Sequence, residues 1–117
     1  MKIYVSHSTN FDYQTELYEP LRENFNELDI FLPHEKNGDA VDTKQIIKES
    51  ELVLAEVSYP STGQGIELGW ANDSNVPIIC MHRDDVKPSG ALRIVSDNFI
   101  SYSSVNEMVE KLQRVVR

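Results

Sequence analysis

Glu67 has the setting in this chain that most suggests chemistry. It stands in the run Pro60-Ser61-Thr62-Gly63-Gln64-Gly65-Ile66-Glu67-Leu68-Gly69, directly after Leu52-Val53-Leu54-Ala55-Glu56-Val57-Ser58-Tyr59. The leading run is rich in branched apolar side chains and reads as a buried strand. Tyr59-Pro60-Ser61 is a turn signal. Ile66, Leu68 and Ala71 then restart an apolar pattern at helical spacing, so the order is strand, glycine-containing loop, helix. Glycines let a backbone turn tightly and approach a ligand. The first N–H groups of a helix lack internal partners and carry the positive end of its dipole. Together these make an anion site, most naturally for a phosphate. Ser61 and Thr62 would cap the helix or bind the phosphate through their hydroxyls. Glu67 falls about one turn into the helix, where a carboxylate stays ionised and suits a nucleophile or the partner of a cation. A tight turn with a surface glutamate would use the same residues, and a Gly-x-Gly alone does not separate the two.

The whole string carries more information. Ala55-Glu56-Val57-Ser58 followed by Pro60-Ser61-Thr62-Gly63-Gln64-Gly65-Ile66-Glu67-Leu68-Gly69 resembles the signature of the nucleoside 2-deoxyribosyltransferase superfamily. It is closest to the 2′-deoxynucleoside 5′-monophosphate N-glycosidase branch. The resemblance implies that Glu67 is the catalytic nucleophile and that Ser61, Gly63 and Gly65 hold the 5′-phosphate. It aligns Tyr4 with an aromatic residue of the active site and His7-Ser8-Thr9 with a Gly-Ser-Ile type loop, which makes Ser8 a substrate contact; His7 stands where the family has Gly. A second acid of the family falls on Thr43. Asp42, one residue earlier, is the nearest stand-in and Asp39 the next, although one residue along a helix turns a side chain by about 100°. Ser89-Gly90-Ala91-Leu92-Arg93 matches a Ser-x-x-x-Arg element that reaches the neighbouring subunit's phosphate site, so the resemblance also implies a homodimer or higher homo-oligomer. It implies no metal and no cofactor.

Three kinds of element must position these residues. Lys2-Ile3-Tyr4-Val5-Ser6 reads as a central strand with a polar loop, His7 to Asn10, at its carboxyl end. A helix is expected from Asp12 to Asn26, with Pro20 a blemish unless it opens a second helical segment. Asp29 to Leu32 is a short strand, and its following loop carries His34 and Glu35 to the same edge as Gly63; His34 is a base contact or a solvated loop residue. Val41 to Ser50 reads as a helix, Val76 to His82 as a strand covered on both faces, and Asn98 to Tyr102 as the last strand. Arg83 is placed to pair with a phosphate or a carboxylate. Val105, Met108, Val109, Leu112 and Val116 line one face of a final helix capped by Ser103 or Ser104. Glu56 lies within a strand among apolar neighbours and needs partners if it is buried. Trp70 reads as a core or interface residue and Cys80 as a core residue.

This alternation predicts an α/β single domain over 1–117: a flavodoxin- or Rossmann-like three-layer sandwich on a five-stranded parallel sheet, order 2-1-3-4-5. Its switch point lies between the first and third strands, which brings Ser6–Asn10 beside Ser58–Glu67. Topology and the anion loop thus select one pocket.

The chain has 117 residues, a net charge of −8 and a single cysteine. The charge argues against binding a nucleic acid duplex, which relies on Lys and Arg, but not against a small nucleotide held by backbone N–H groups. No disulfide framework or zinc spacing is present. Without a signal peptide or an apolar run near 18 residues, no membrane association is expected and a cytoplasmic location is the default.

The expected reaction is N-glycosidic bond cleavage in a (deoxy)nucleoside 5′-monophosphate, with Glu67 attacking the anomeric carbon and Asp42 assisting departure of the base. Water as acceptor makes a hydrolase; another base makes a transferase. Two alternatives stay open. One is a TIR-like NAD hydrolase, suggested by Val5-Ser6-His7-Ser8 and Ile46-Ile47-Lys48-Glu49-Ser50. The other is a non-catalytic nucleotide-binding or sensing module, suggested by Thr43 and His7.

Overall fold

The computed structural model describes residues 1–35 and 42–116. Strands β1 (Lys2–His7), β2 (Asp29–Phe31), β3 (Leu52–Glu56), β4 (Ile78–Arg83) and β5 (Asn98–Tyr102) alternate with helices α1 (Glu19–Asn24), α2 (Thr43–Glu49), α3 (Thr62–Asp73) and α4 (Val105–Val116). The five strands form one sheet in the order β2-β1-β3-β4-β5. All four pairings are parallel. This is the expected order. The strand boundaries differ from the sequence reading by one or two residues. Asp39 and Val41, expected as a reserve acid and a helix start, lie outside the described residues.

Side-chain alternation along β1 sorts the core into two layers. Ile3 and Val5 pack with Leu17, Leu21 and Phe25 near α1 and with Met108 and Leu112 of α4. Tyr4 points to the other face and packs with Ile47 of α2 and with Leu68 and Ala71 of α3. β3 repeats the pattern: Leu52 and Leu54 join the first layer, Val53 and Ala55 the second. Both faces of the central strands are therefore dry, which is why β3 and β4 read as apolar runs rather than alternating ones.

The helix expected over Asp12 to Asn26 is present over 13–24, but its winding changes along the way. A π-helical turn, Gln14–Tyr18, runs into the shorter α1. Pro20 explains the change. It lacks an N–H and its ring crowds the preceding turn, and it sits in the first turn of α1. The turn before it is wound wider, with the Glu19 N–H on the Gln14 carbonyl. At the other end of the chain, the Ser104 hydroxyl accepts from the Glu107 N–H at 3.1 Å, and the Glu107 carboxylate accepts from the Ser103 N–H at 3.0 Å. These bonds satisfy donors at the start of α4. Just past the end of α3 stands Asn75, whose φ of 59° is the left-handed conformation that Asn tolerates better than most residues.

Among the described residues, no helix is long and apolar enough to cross a membrane.

Candidate active site

The strand order reverses between β1 and β3, so a crevice opens at their carboxyl ends. Tyr4 and Ser6 lie on the α3 face of β1, two residues apart and hence on the same side. Glu67 comes to meet them from α3. The Tyr4 hydroxyl donates to Glu67 Oε2, and the Ser6 hydroxyl donates to Oε1 at 2.9 Å. Each carboxylate oxygen is thus held by its own donor, which fixes the plane of the group. Burial, then the charge of Glu67, pushes the Tyr4 pKa well above the usual phenol range, so Tyr4 keeps its proton and stays a donor. The Thr43 side chain, on the Tyr4 oxygen's other side, partly offsets that rise. The Tyr4 ring is fixed in turn by stacking on Phe31 of β2, with centroids 5.7 Å apart.

The start of α3 is built as the sequence suggests. Ser61 is the N-cap, and its hydroxyl accepts from the Gln64 N–H at 3.4 Å. Gly63 and Gly65 are exposed, and a methyl group added at either would meet no protein atom within 4 Å. Packing therefore does not require these glycines, and in a helix each costs about 1 kcal/mol relative to alanine. What a missing side chain provides here is close approach to the backbone from outside.

Gln64 lies between those glycines and was not singled out by sequence. Its side chain is buried. Its Nε2 donates to the Ser6 carbonyl at 3.1 Å and to the Glu56 carbonyl at 2.7 Å. These carbonyls stand where β1 and β3 part company. Leaving a buried carbonyl without a donor costs about 1–3 kcal/mol. No periodicity marks such a residue, because its partners come from two other strands.

The remaining candidates sit as follows. Asp42 is the exposed N-cap of α2, and its carboxylate accepts from the Gln45 N–H at 3.4 Å. Thr43, the next residue, is the one that reaches Tyr4. Ser8 is buried, and its hydroxyl accepts from the Asn10 N–H at 3.0 Å, closing the loop after β1. Ser89 is exposed and caps a 3-10 turn, Gly90–Ile94. Arg93 from that turn lies over the Phe99 ring, 5.6 Å from its centroid. Arg83 approaches Glu16 and Asp85 at 3.7 and 3.8 Å.

His7 occupies the opposite face of β1 from Tyr4 and Ser6. Its ring is buried within 4.7–6.1 Å, centroid to centroid, of Phe11, Tyr13, Tyr18 and His34. Nδ1 lies 2.7 Å from the Ser8 carbonyl and Nε2 lies 2.6 Å from the Tyr18 hydroxyl. A carbonyl only accepts, so Nδ1 carries the hydrogen and Nε2 accepts from Tyr18. The Tyr18 oxygen accepts from the His34 N–H at 3.0 Å, tying the loops after β1 and β2 together. Burial lowers the His7 pKa to about 4.

Glu56 also faces away from Glu67. It is buried and accepts from the Ser58 N–H at 2.6 Å, the Ser58 hydroxyl at 3.1 Å and the Tyr102 hydroxyl. Ser58 in turn accepts from the Arg83 N–H at 2.8 Å. This carboxylate fastens the ends of β3, β4 and β5 to one another. Cys80 is buried, and burial pushes its thiol up to about 11, which makes it a poor nucleophile.

Solved structures of the same architecture bear out the fold. A CMP N-glycosidase from Clostridium botulinum, BcmB, superposes with a TM-score of 0.77 at 19% identity, over 99% of this chain and 100% of the other. The chain shares the fold of that protein. A conserved protein from Enterococcus faecalis V583 shares it with a TM-score of 0.65 at 18% identity, covering 99% of each chain. Sequence comparison points the same way. A Thermofilum pendens protein named as a candidate 2′-deoxynucleoside 5′-phosphate N-hydrolase 1 is 32% identical over 77 residues, 62% of this chain and 54% of its own length. A protein of the same name from Syntrophotalea carbinolica is 35% identical over 65 residues, 53% and 46% of the two lengths. The chain thus spans about half the length of the curated relatives it matches. No family model matches the chain.

Proposed function

We propose that this chain cleaves the N-glycosidic bond of a (deoxy)nucleoside 5′-monophosphate, with Glu67 as nucleophile. The observation that carries the reading is the placement of the Glu67 carboxylate. It is clasped by Tyr4 and Ser6 at the switch point, about one and a half turns from a helix N-terminus whose glycines are open to approach. A phosphate at the α3 N-terminus, on the N–H groups near Ser61, Gly63 and Gly65, would anchor the 5′ end of the nucleotide. The sugar would then lie across the crevice with its anomeric carbon toward Glu67. Attack by the carboxylate forms a C1′–O bond as the C1′–N bond breaks; the base leaves with the bonding pair and takes a proton from solvent, and water then attacks C1′, giving the sugar phosphate, the free carboxylate and a proton. Tyr4 and Ser6 hold the attacking group in one orientation. The names of the relatives, N-hydrolase and N-glycosidase, support hydrolysis over transfer to a second base.

The test is to incubate the protein with a panel of ribo- and 2′-deoxyribonucleoside 5′-monophosphates plus NAD, and to follow free base chromatographically. Release from a monophosphate that is lost in Glu67→Ala supports the reading and identifies the substrate. Nicotinamide release from NAD would favour the TIR-like alternative.

One observation favours a second reading, a nucleotide-binding module without turnover. The family's second acid falls on Thr43, and that hydroxyl is engaged with Tyr4. Binding of a monophosphate, measured by calorimetry, with no base released over hours would select it. A homodimer belongs to the proposal as well. Ile66 is half exposed on the outer side of α3, and sedimentation equilibrium would establish the oligomeric state.

A further inference from the structure

We propose that Gln64 is the positioning residue for Glu67: its amide is a clamp that sets how α3 is rotated about its axis where it meets the sheet. Only the kinetic half of this inference rests on the proposed reaction.

The argument begins with periodicity. Gln64, Leu68 and Ala71 are the buried residues of α3, a stripe at spacings of four and three. Leu68 and Ala71 pack against apolar side chains of the sheet. Such contacts hold a helix against a sheet but tolerate small rotations, because dispersion is non-directional. Gln64 heads the same stripe and is directional. One amide nitrogen, with two hydrogens to give, meets two carbonyls from different strands, Ser6 and Glu56. Satisfying both leaves little freedom in the first turn of the helix.

Ser6 links the clamp to the carboxylate. Its carbonyl takes a hydrogen bond from Gln64, and its hydroxyl gives one to Glu67 Oε1. Glu67 lies three residues beyond Gln64, about 60° round the helix on the same side. Rotating or lifting the first turn of α3 would therefore carry the carboxylate out of reach of Tyr4 and Ser6. The cap from Ser61 to the Gln64 N–H is a separate bond made by the backbone. Replacing the Gln64 side chain leaves the cap, and so the anion-binding turn, in place. Position and phosphate affinity should respond differently.

The experiment compares wild type, Gln64→Leu and Gln64→Glu in two ways. Amide hydrogen exchange follows the second turn of α3, Gly65 to Leu68, against Met108 to Leu112 of α4 as internal reference. Steady-state kinetics follow base release from the best monophosphate of the panel. In Gln64→Leu, the α3 amides should exchange at least tenfold faster while the α4 amides keep their rates. The kcat should fall tenfold or more, with KM within about threefold. Gln64→Glu keeps the shape but replaces the donor with an acceptor at neutral pH. A protonated carboxyl can again donate to one carbonyl, so its kcat should recover toward wild type as pH falls, a limb that Gln64→Leu lacks. Unchanged exchange and unchanged kcat in folded Gln64→Leu would overturn the proposal. Should Gln64→Leu fail to fold, the acid recovery of Gln64→Glu decides, and its absence overturns the clamp. If wild type releases no base, the reaction reading falls and the exchange rates of the variants still decide the clamp.

Discussion

Tyr4 and Glu67 stand 63 positions apart in sequence, yet the phenol of one donates directly to the carboxylate of the other. The bond is charge-assisted, of a kind worth about 1.5–3 kcal/mol. Tyr4→Phe removes it while keeping the ring on Phe31. Base release should fall roughly ten- to a hundredfold, and the thermal midpoint by no more than about 10 °C, the worth of the one bond, because the stacked contact remains. Steady-state rates and a melting curve on the same sample check both halves. A fall in activity matched by a large fall in melting temperature would point to a structural role instead.

Asp42 and Thr43 are neighbours in sequence and face different tasks. Asp42 caps α2 through the Gln45 N–H, so Asp42→Ala should destabilise the protein by about 1 kcal/mol while Asp42→Asn, an equally good cap, should not. Urea denaturation measures this. Base release by Asp42→Asn then tells cap from proton donor: a tenfold loss in a protein of wild-type stability would return the carboxylate to the chemistry.

Glu56 is the second carboxylate of the sheet edge, and its burden is structural. It is buried and held by Ser58 and Tyr102. Tyr102→Phe leaves the carboxylate short of one donor and should cost about 2 kcal/mol, and Glu56→Ala should cost more because Ser58 and Tyr102 both lose their acceptor. Equilibrium unfolding reads both. Equal stability of Tyr102→Phe and wild type would remove this account of the buried acid.

His7 predicts a pH dependence. Its folded-state pKa is lowered to about 4 from an ordinary 6.5, so between those values the unfolded chain binds a proton that the folded chain refuses. The neutral imidazole's contribution is fully present above pH 6.5 and is lost as pH falls toward 4. The loss amounts to at most about 3 kcal/mol. Stability of wild type measured from pH 7 to 4 should fall by more than that of His7→Phe, which has nothing to protonate. Parallel curves would show that the ring at this position does not govern the acid limb.

Much of this molecule was legible from local pattern. Strands β1, β3 and β4 announce themselves as apolar runs, and the alternation of strand and helix fixes a parallel sheet whose order follows from general rules of connection. The string from Pro60 to Gly69 marks a helix N-terminus with a carboxylate one turn in, because capping and glycine chemistry are local. The π-helical turn before Pro20 was legible only in part, since proline signals a break but not how the chain accommodates it.

Tertiary structure decided the partners. That Tyr4 and Ser6 converge on Glu67, that Thr43 rather than Asp42 reaches the Tyr4 oxygen, and that His7 and Glu56 look away from the crevice all follow from which face of a strand each residue occupies and where another element crosses it. Gln64 is the clearest case. In sequence it is the unnamed residue of a Gly-x-Gly. In the fold it joins three elements, because the carbonyls it satisfies are left open only where β1 and β3 diverge. Hydrogen bonds between residues distant in sequence leave no periodic trace, so the sequence by itself determined the scaffold and the location of the candidate site, and packing alone chose the groups that hold it together.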